Sequence, residues 1–243
     1  MGIFDFFTGG SPEKQIVKHG ARIRKKDAQA EDRQASAYWL AEDASIPAIV
    51  ALLGRFEMTY EHHMKDEAEK EMVADLVKDL GKEAVPALEI FLRRCKNFAR
   101  PLSLLQQIAG KEEATVVLLE LIAIEAEKSE LKPDKKRQLL ITLAEFQDAR
   151  GENTAIDMLR DFDEGVRYAA AEVLIGLEET EALRSALLEA VSNPKEESNR
   201  LRVRIAEVAG GRSWSLGTHG PHLKDHPPTG WAVQGDRLAS API

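Results

Sequence analysis

Four side chains, His62, His63, Asp66 and Glu67, come closest to a metal site in this sequence. On a helix His62 shares a face with Asp66, and His63 with Glu67. Each pair is half a site, because zinc or iron wants three or four converging groups, so the segment reads as a solvated polar turn. His219, His222 and His226, with Asp225 beside them, have a spacing that suits zinc or nickel, but their Gly/Pro-rich setting pre-organises no geometry. Cys95 follows Arg93 and Arg94, whose charges favour a thiolate. A lone helical cysteine is nonetheless more often a small buried apolar group. No Gly-rich phosphate loop, nucleophile elbow or serine-histidine-acid set stands out. The expectation is no catalytic residue, no metal and no cofactor.

A macromolecular partner is the remaining direction, and charge narrows it. The formal charge is -8, which argues against a wide phosphate-binding surface because nucleic-acid affinity comes largely from neutralised phosphates. One cysteine allows neither an intramolecular disulfide nor a thiolate zinc cage. No run approaches the roughly 18 to 20 apolar residues of a membrane span, and the first residues lack the basic start of a secretory signal. The expected location is the cytoplasm.

The elements that must position any binding surface follow from a recurring pattern. A basic residue is followed three and four positions later by small or aliphatic residues, and by another apolar residue at seven. The clearest copy runs Val166-Arg167-Tyr168-Ala169-Ala170-Ala171-Glu172-Val173-Leu174; looser ones start at Arg33, Lys70, Arg137 and Arg202, and a weak one at Arg100. Subtracting successive residue numbers gives spacings of 37, 30, 37, 30 and 35, the period of a helical solenoid. Each copy lays one apolar stripe along a helix. Second helices are expected near 46–53, 85–92, 114–124, 154–159 and 181–191. Pro47 and Pro86 fall in first turns, where an amide has no intrahelical acceptor, and Gly54, Gly81, Gly110 and Gly176 fall at helix stops.

The Val166-Arg167-x-x-Ala170-Ala171-x-x-Leu174 stretch, with Asp163 before it, resembles the bacterial HEAT-like repeats often called PBS-lyase HEAT repeats. The likeness covers roughly residues 28–209, strongly in the fifth unit and loosely elsewhere. It implies an all-α fold: a right-handed α-solenoid of about five helix pairs, with first helices convex and second helices lining a concave groove. Such arrays serve scaffolds, lyases, hydroxylases and glycosylases, so the likeness does not fix a function. The His-Glu dipeptides of HEAT-type hydroxylases do not occur. Asp163 is expected to cap its helix and Arg167 to set contacts between repeats.

Both ends differ from the array. Residues 1–27 carry an apolar tip, Ile3, Phe4, Phe6 and Phe7, then a basic stretch with Lys14, Lys18, Arg22, Arg24, Lys25 and Lys26. The tip is expected to cap the exposed core of the first repeat, with peripheral membrane contact or partner docking as alternatives. Residues 210–243 hold six of the glycines and four of the prolines, which ends helical structure. Within them, residues 230–238 read as two short strands around a turn, a hairpin or extended cap docked on the last helix by Trp231, Val233 and Leu238, with a disordered tail as the alternative.

The sequence therefore points to a non-catalytic protein-protein interaction scaffold or adaptor that works through its groove. Arg93, Arg94 and Lys96 supply a basic step, and Glu120, Glu125 and Glu127 an acidic one, an arrangement that orients an oppositely patterned peptide. A HEAT-type enzyme (lyase-, hydroxylase- or glycosylase-like) and a nucleic-acid binding module are the alternatives. Against the latter, Arg55, Arg160 and Arg184 on the second helices are interleaved with Glu57, Asp157 and Glu189. No small-molecule substrate is evident.

Overall fold

The computed structural model describes residues 11–128 and 133–241; the apolar tip Ile3, Phe4, Phe6 and Phe7 lies outside the described residues. The chain forms two compact units, Met1–Val117 and Leu118–Ile243.

In the first unit the helices are α1 (Pro12–Ile23), α2 (Ala30–Asp43), α3 (Ile46–Leu53), α4 (His63–Leu80), α5 (Val85–Leu92) and α6 (Ala99–Ala109). The next helix, α7 (Lys111–Ala126), contains the unit boundary. Pro47 and Pro86 do sit in the first turns of α3 and α5, where proline costs no hydrogen bond. Gly81 and Gly110 terminate α4 and α6 with positive φ (58° and 97°), a conformation that a β-carbon disfavours. First helices of successive pairs touch, α2 on α4 and α4 on α6, and so do the second helices α3 and α5. Their stripes make the core: Leu40, Ile49, Leu52, Val77, Leu88 and Leu105 are fully buried.

The second unit repeats the alternation with α8 (Asp134–Phe146), α9 (Glu152–Met158), α10 (Glu164–Gly176), α11 (Glu181–Ser192) and α12 (Asn199–Gly211). Here α10 packs on α8 and α12, and α9 on α11. Helix starts are chemically marked: Asp163, Thr180 and Ser198 each accept a first-turn amide, from Val166, Leu183 and Leu201. The expected cap at Asp163 is thus present.

After α12 come a short helix, α13 (Gly220–Asp225), and an antiparallel hairpin of β1 (Trp231–Gln234) and β2 (Arg237–Ser240). The cap expected to be non-helical is therefore partly helical, because Pro221 is tolerated in the first turn of α13. Gly235 opens the two-residue turn with φ 63°, which suits a hairpin whose first turn residue is glycine. β2 rests on α12 and Leu238 is buried. The Trp231 ring lies so close to Gly210 that an added β-carbon would stand 2.5 Å from it. Trp231 and Val233 stay half-exposed, while Leu238 is buried.

Candidate functional site

Most charged side chains of the array are committed to one another. Arg33 stands fourth in α2, and its guanidinium binds both carboxylate oxygens of Glu69 on α4, with Nε at 3.0 Å, while also donating to the carbonyl of Ala28. Arg167, fourth in α10, does the same with Glu196, at 2.7 and 2.9 Å, and donates to the carbonyls of Asp161 and Phe162. Two-pronged arginine-carboxylate contacts are strong and directional, so each clamp ties a first helix to a segment about one repeat later.

In the first unit the clamp grows into a network. Arg55, in the 3-10 turn after α3, is 1% exposed; it donates to Glu69 at 3.1 Å and to Asp66 at 2.7 Å. Lys70 closes on the other oxygen of Asp66 at 2.6 Å. The Tyr60 ring lies against both arginines, 4.6 Å from the guanidinium carbon of Arg33 and 4.2 Å from that of Arg55, and its hydroxyl donates to the Ile23 carbonyl. Burial opposes the charge on Asp66, but hydrogen bonds from Lys70 and Arg55 outweigh it and hold the pKa below the usual carboxylate range. Burial likewise opposes Glu69, and the bonds from Arg33 and Arg55 again win. This network is a staple rather than a site, since its donors and acceptors are spent largely on one another.

The segment expected to be a solvated polar turn contributes to this network, with Asp66 buried. Asp66 is turned inward to Arg55, and Glu67 pairs with Arg100. No group of three or more His, Cys, Asp or Glu side chains that could hold a metal occurs among the described residues. In the tail, His219 contacts the Ser192 hydroxyl through Nδ1 at 2.8 Å, and the His222 and His226 rings lie 5.1 Å apart. Cys95 is buried with its thiol on the Leu92 carbonyl.

The first unit also carries an apolar groove of about 720 Å³ on α1, α3 and α5. α1 and α3 run side by side in the same direction, because Gly20 abuts Ala51 and Gly54 abuts Arg24. Gly20 makes the close approach easy: a β-carbon there would stand 3.0 Å from that of Ala51, tighter than ordinary contact. Ile16, Pro47, Val50 and Phe91 line the floor, while Val17, Ile46 and Ile90 are 70%, 43% and 43% exposed. One end is basic. Arg24 and Arg94 stand there without an ion pair among the described residues, and Glu57 beside them is occupied by the amides of Lys96 and Asn97, both at 3.0 Å.

No protein-family model matches the chain, and no curated protein matches it.

Of the basic residues expected to meet a partner, Arg94 lines this groove; Arg93 and Lys96 are exposed nearby, Arg93 within 3.6 Å of Glu89. The acidic trio falls in the second unit. Glu120 and Glu127 are exposed, whereas Glu125 is 4% exposed and tied to Lys128 at 2.7 Å and Lys135 at 3.1 Å. Burial works against its charge, yet the two lysines lower its pKa. Glu125 is therefore an internal brace. The second unit has an opening of its own, about 440 Å³ beside the Arg167 clamp, but its charged lining is largely self-paired, as Arg167 with Glu196 and Arg160 with Glu189. Val17, Ile46 and Ile90 escape a sequence reading because each stands alone in its own segment.

Proposed function

We propose that the chain is a non-catalytic interaction scaffold, a right-handed solenoid of HEAT-like helix pairs that binds a protein partner on the face made by its second helices. The observation that carries this is the open apolar groove on α1, α3 and α5, where aliphatic side chains that would normally be covered stand beside unpaired arginines. Support for the architecture comes from the alternation of touching first and second helices, and from Arg33, Arg137, Arg167 and Arg202 each standing fourth in its helix. No described helix is long and apolar enough to cross a membrane, and the cytoplasm is the setting this reading assumes.

The test starts with partners captured from the source cell and identified by mass spectrometry. Ile90→Asp with Arg94→Glu should weaken a captured partner at least about tenfold, roughly 1.4 kcal/mol, with thermal unfolding little changed. Binding that survives this pair of changes but is lost on altering the Gly/Pro-rich tail would end the groove reading.

A further inference from the structure

We propose that the groove on α1, α3 and α5 takes an acidic amphipathic segment of a partner protein, with apolar side chains along the groove and carboxylates at one end of that stripe meeting Arg24 and Arg94. The proposal rests on the reading of that groove as a docking surface and adds the chemistry of what it takes.

The groove has a chemical direction. Ile46 and Pro47 open α3, and Gly54 follows its last residue, so Arg24, packed on Gly54, marks the end away from Ile46. Arg94 follows the last turn of α5 and stands at the same end, because the amides of Lys96 and Asn97 close on Glu57 just beyond α3. Between the ends lie Val17, Val50 and Ile90, an aliphatic stretch that suits the apolar stripe of a short helix. The eight residues of α3 span about 12 Å, or roughly two helical turns.

The charge at the arginine end is open to a partner. Arg24 donates Nε to the Gly20 carbonyl at 3.0 Å, and neither arginine forms an ion pair among the described residues. The positive surface continues along the outer side of α1. Ala21 lines both the groove and a neighbouring hollow that holds Lys18, Arg22 and Lys25. Asp27 and Asp32 share this hollow, yet none of its three cations is in an ion pair among the described residues. Burial, and then the charges of Lys18 and Arg22, lower the pKa of His19, as cations without counter-charges would. By contrast, Arg33, Arg55, Lys70 and Arg100 of the same unit are all held by carboxylates. Carboxylates beside an apolar stripe complement this face in both respects. A bilayer is a poorer occupant, since the apolar surface lines a groove and lipid insertion needs a projecting face.

The test uses the full chain and fluorescein-labelled peptides that share a stripe of leucines at helical spacing and end in either glutamates or lysines, read by fluorescence anisotropy. The glutamate peptide should bind at least about tenfold tighter than the lysine peptide at low salt, and added salt should narrow the gap. Arg24→Glu with Arg94→Glu should invert the preference, and Ile90→Asn should weaken both peptides, with thermal unfolding little changed in each variant. Equal binding of the two peptides, both weakened by Ile90→Asn, overturns the acidic partner and leaves the groove reading standing. A glutamate preference that survives these changes but is lost in Lys18→Glu with Lys25→Glu also overturns it, and moves the contact to the outer side of α1. Binding of neither peptide overturns it as well: sedimentation with phosphatidylserine vesicles would then assign the cations to a membrane, while a captured partner that still depends on Ile90 and Arg94 would keep the groove reading.

Discussion

The two arginine clamps are the same device in different company. Arg33 with Glu69 and Arg167 with Glu196 share helix position, two-pronged geometry and extra bonds to carbonyls of the preceding turn. They differ in what else depends on the carboxylate. Glu69 serves a second arginine, Arg55, which is sealed from water, and Tyr60 lies against both guanidinium groups. Glu196 serves a single arginine, Arg167, together with the Ser198 amide, beside an opening. The energetic weight of an ion pair is thus set less by its own geometry than by the charges stranded when it is broken.

The largest effect should therefore come from Glu69→Ala, which leaves buried Arg55 with one carboxylate fewer and is expected to cost about 3–5 kcal/mol in chemical denaturation. Glu196→Ala should cost less, about 1.5–3 kcal/mol. Equal or inverted costs would break the comparison.

Acid should weaken the first clamp in a predictable direction. Asp66 and Glu69 have folded pKa values below their unfolded ones, so their contribution is complete above about pH 4.5 and is lost as pH falls through the folded values. Stability of the native chain should drop over that acid range, and Glu69→Gln, already lacking the charge, should show a shallower drop. A parallel pH profile would mean that Glu69 does not contribute through its ionised form.

Tyr60→Phe should have the smallest effect, about 0.5–1.5 kcal/mol, because it removes the hydrogen bond to Ile23 but keeps the ring against the arginines. A cost matching that of Glu69→Ala would move the weight of the network from the carboxylate to the hydroxyl.

How much of this was legible depends on whether a contact lies within one periodic pattern. The stripe Val73, Ala74 and Val77 was readable and is buried, yet the basic residue read with it, Lys70, is eighth in α4. The fourth position belongs to Asp66, because α4 begins a turn earlier than the pattern. Charge reversal at that position is what draws Arg55 inward, and no spacing rule joins residues contributed by a 3-10 turn and a helix. The hairpin was readable from its turn and alternation. The packing of Trp231 against Gly210 was not, since it depends on where α12 passes. The groove escaped for a similar reason: a three-helix surface is assembled from residues at 17, 46 and 90.

The clamps also set an order of events for a growing chain. Arg33 reaches 36 residues forward to Glu69 and Arg167 reaches 29 to Glu196; Arg100 reaches 33 residues back to Glu67 and Arg204 reaches 32 to Glu172. Each closure spans about one repeat, so its loop-closing entropy is modest and similar from one to the next. A chain emerging from the ribosome can lock each helix pair onto its predecessor as soon as the next pair is made, without waiting for a distant segment.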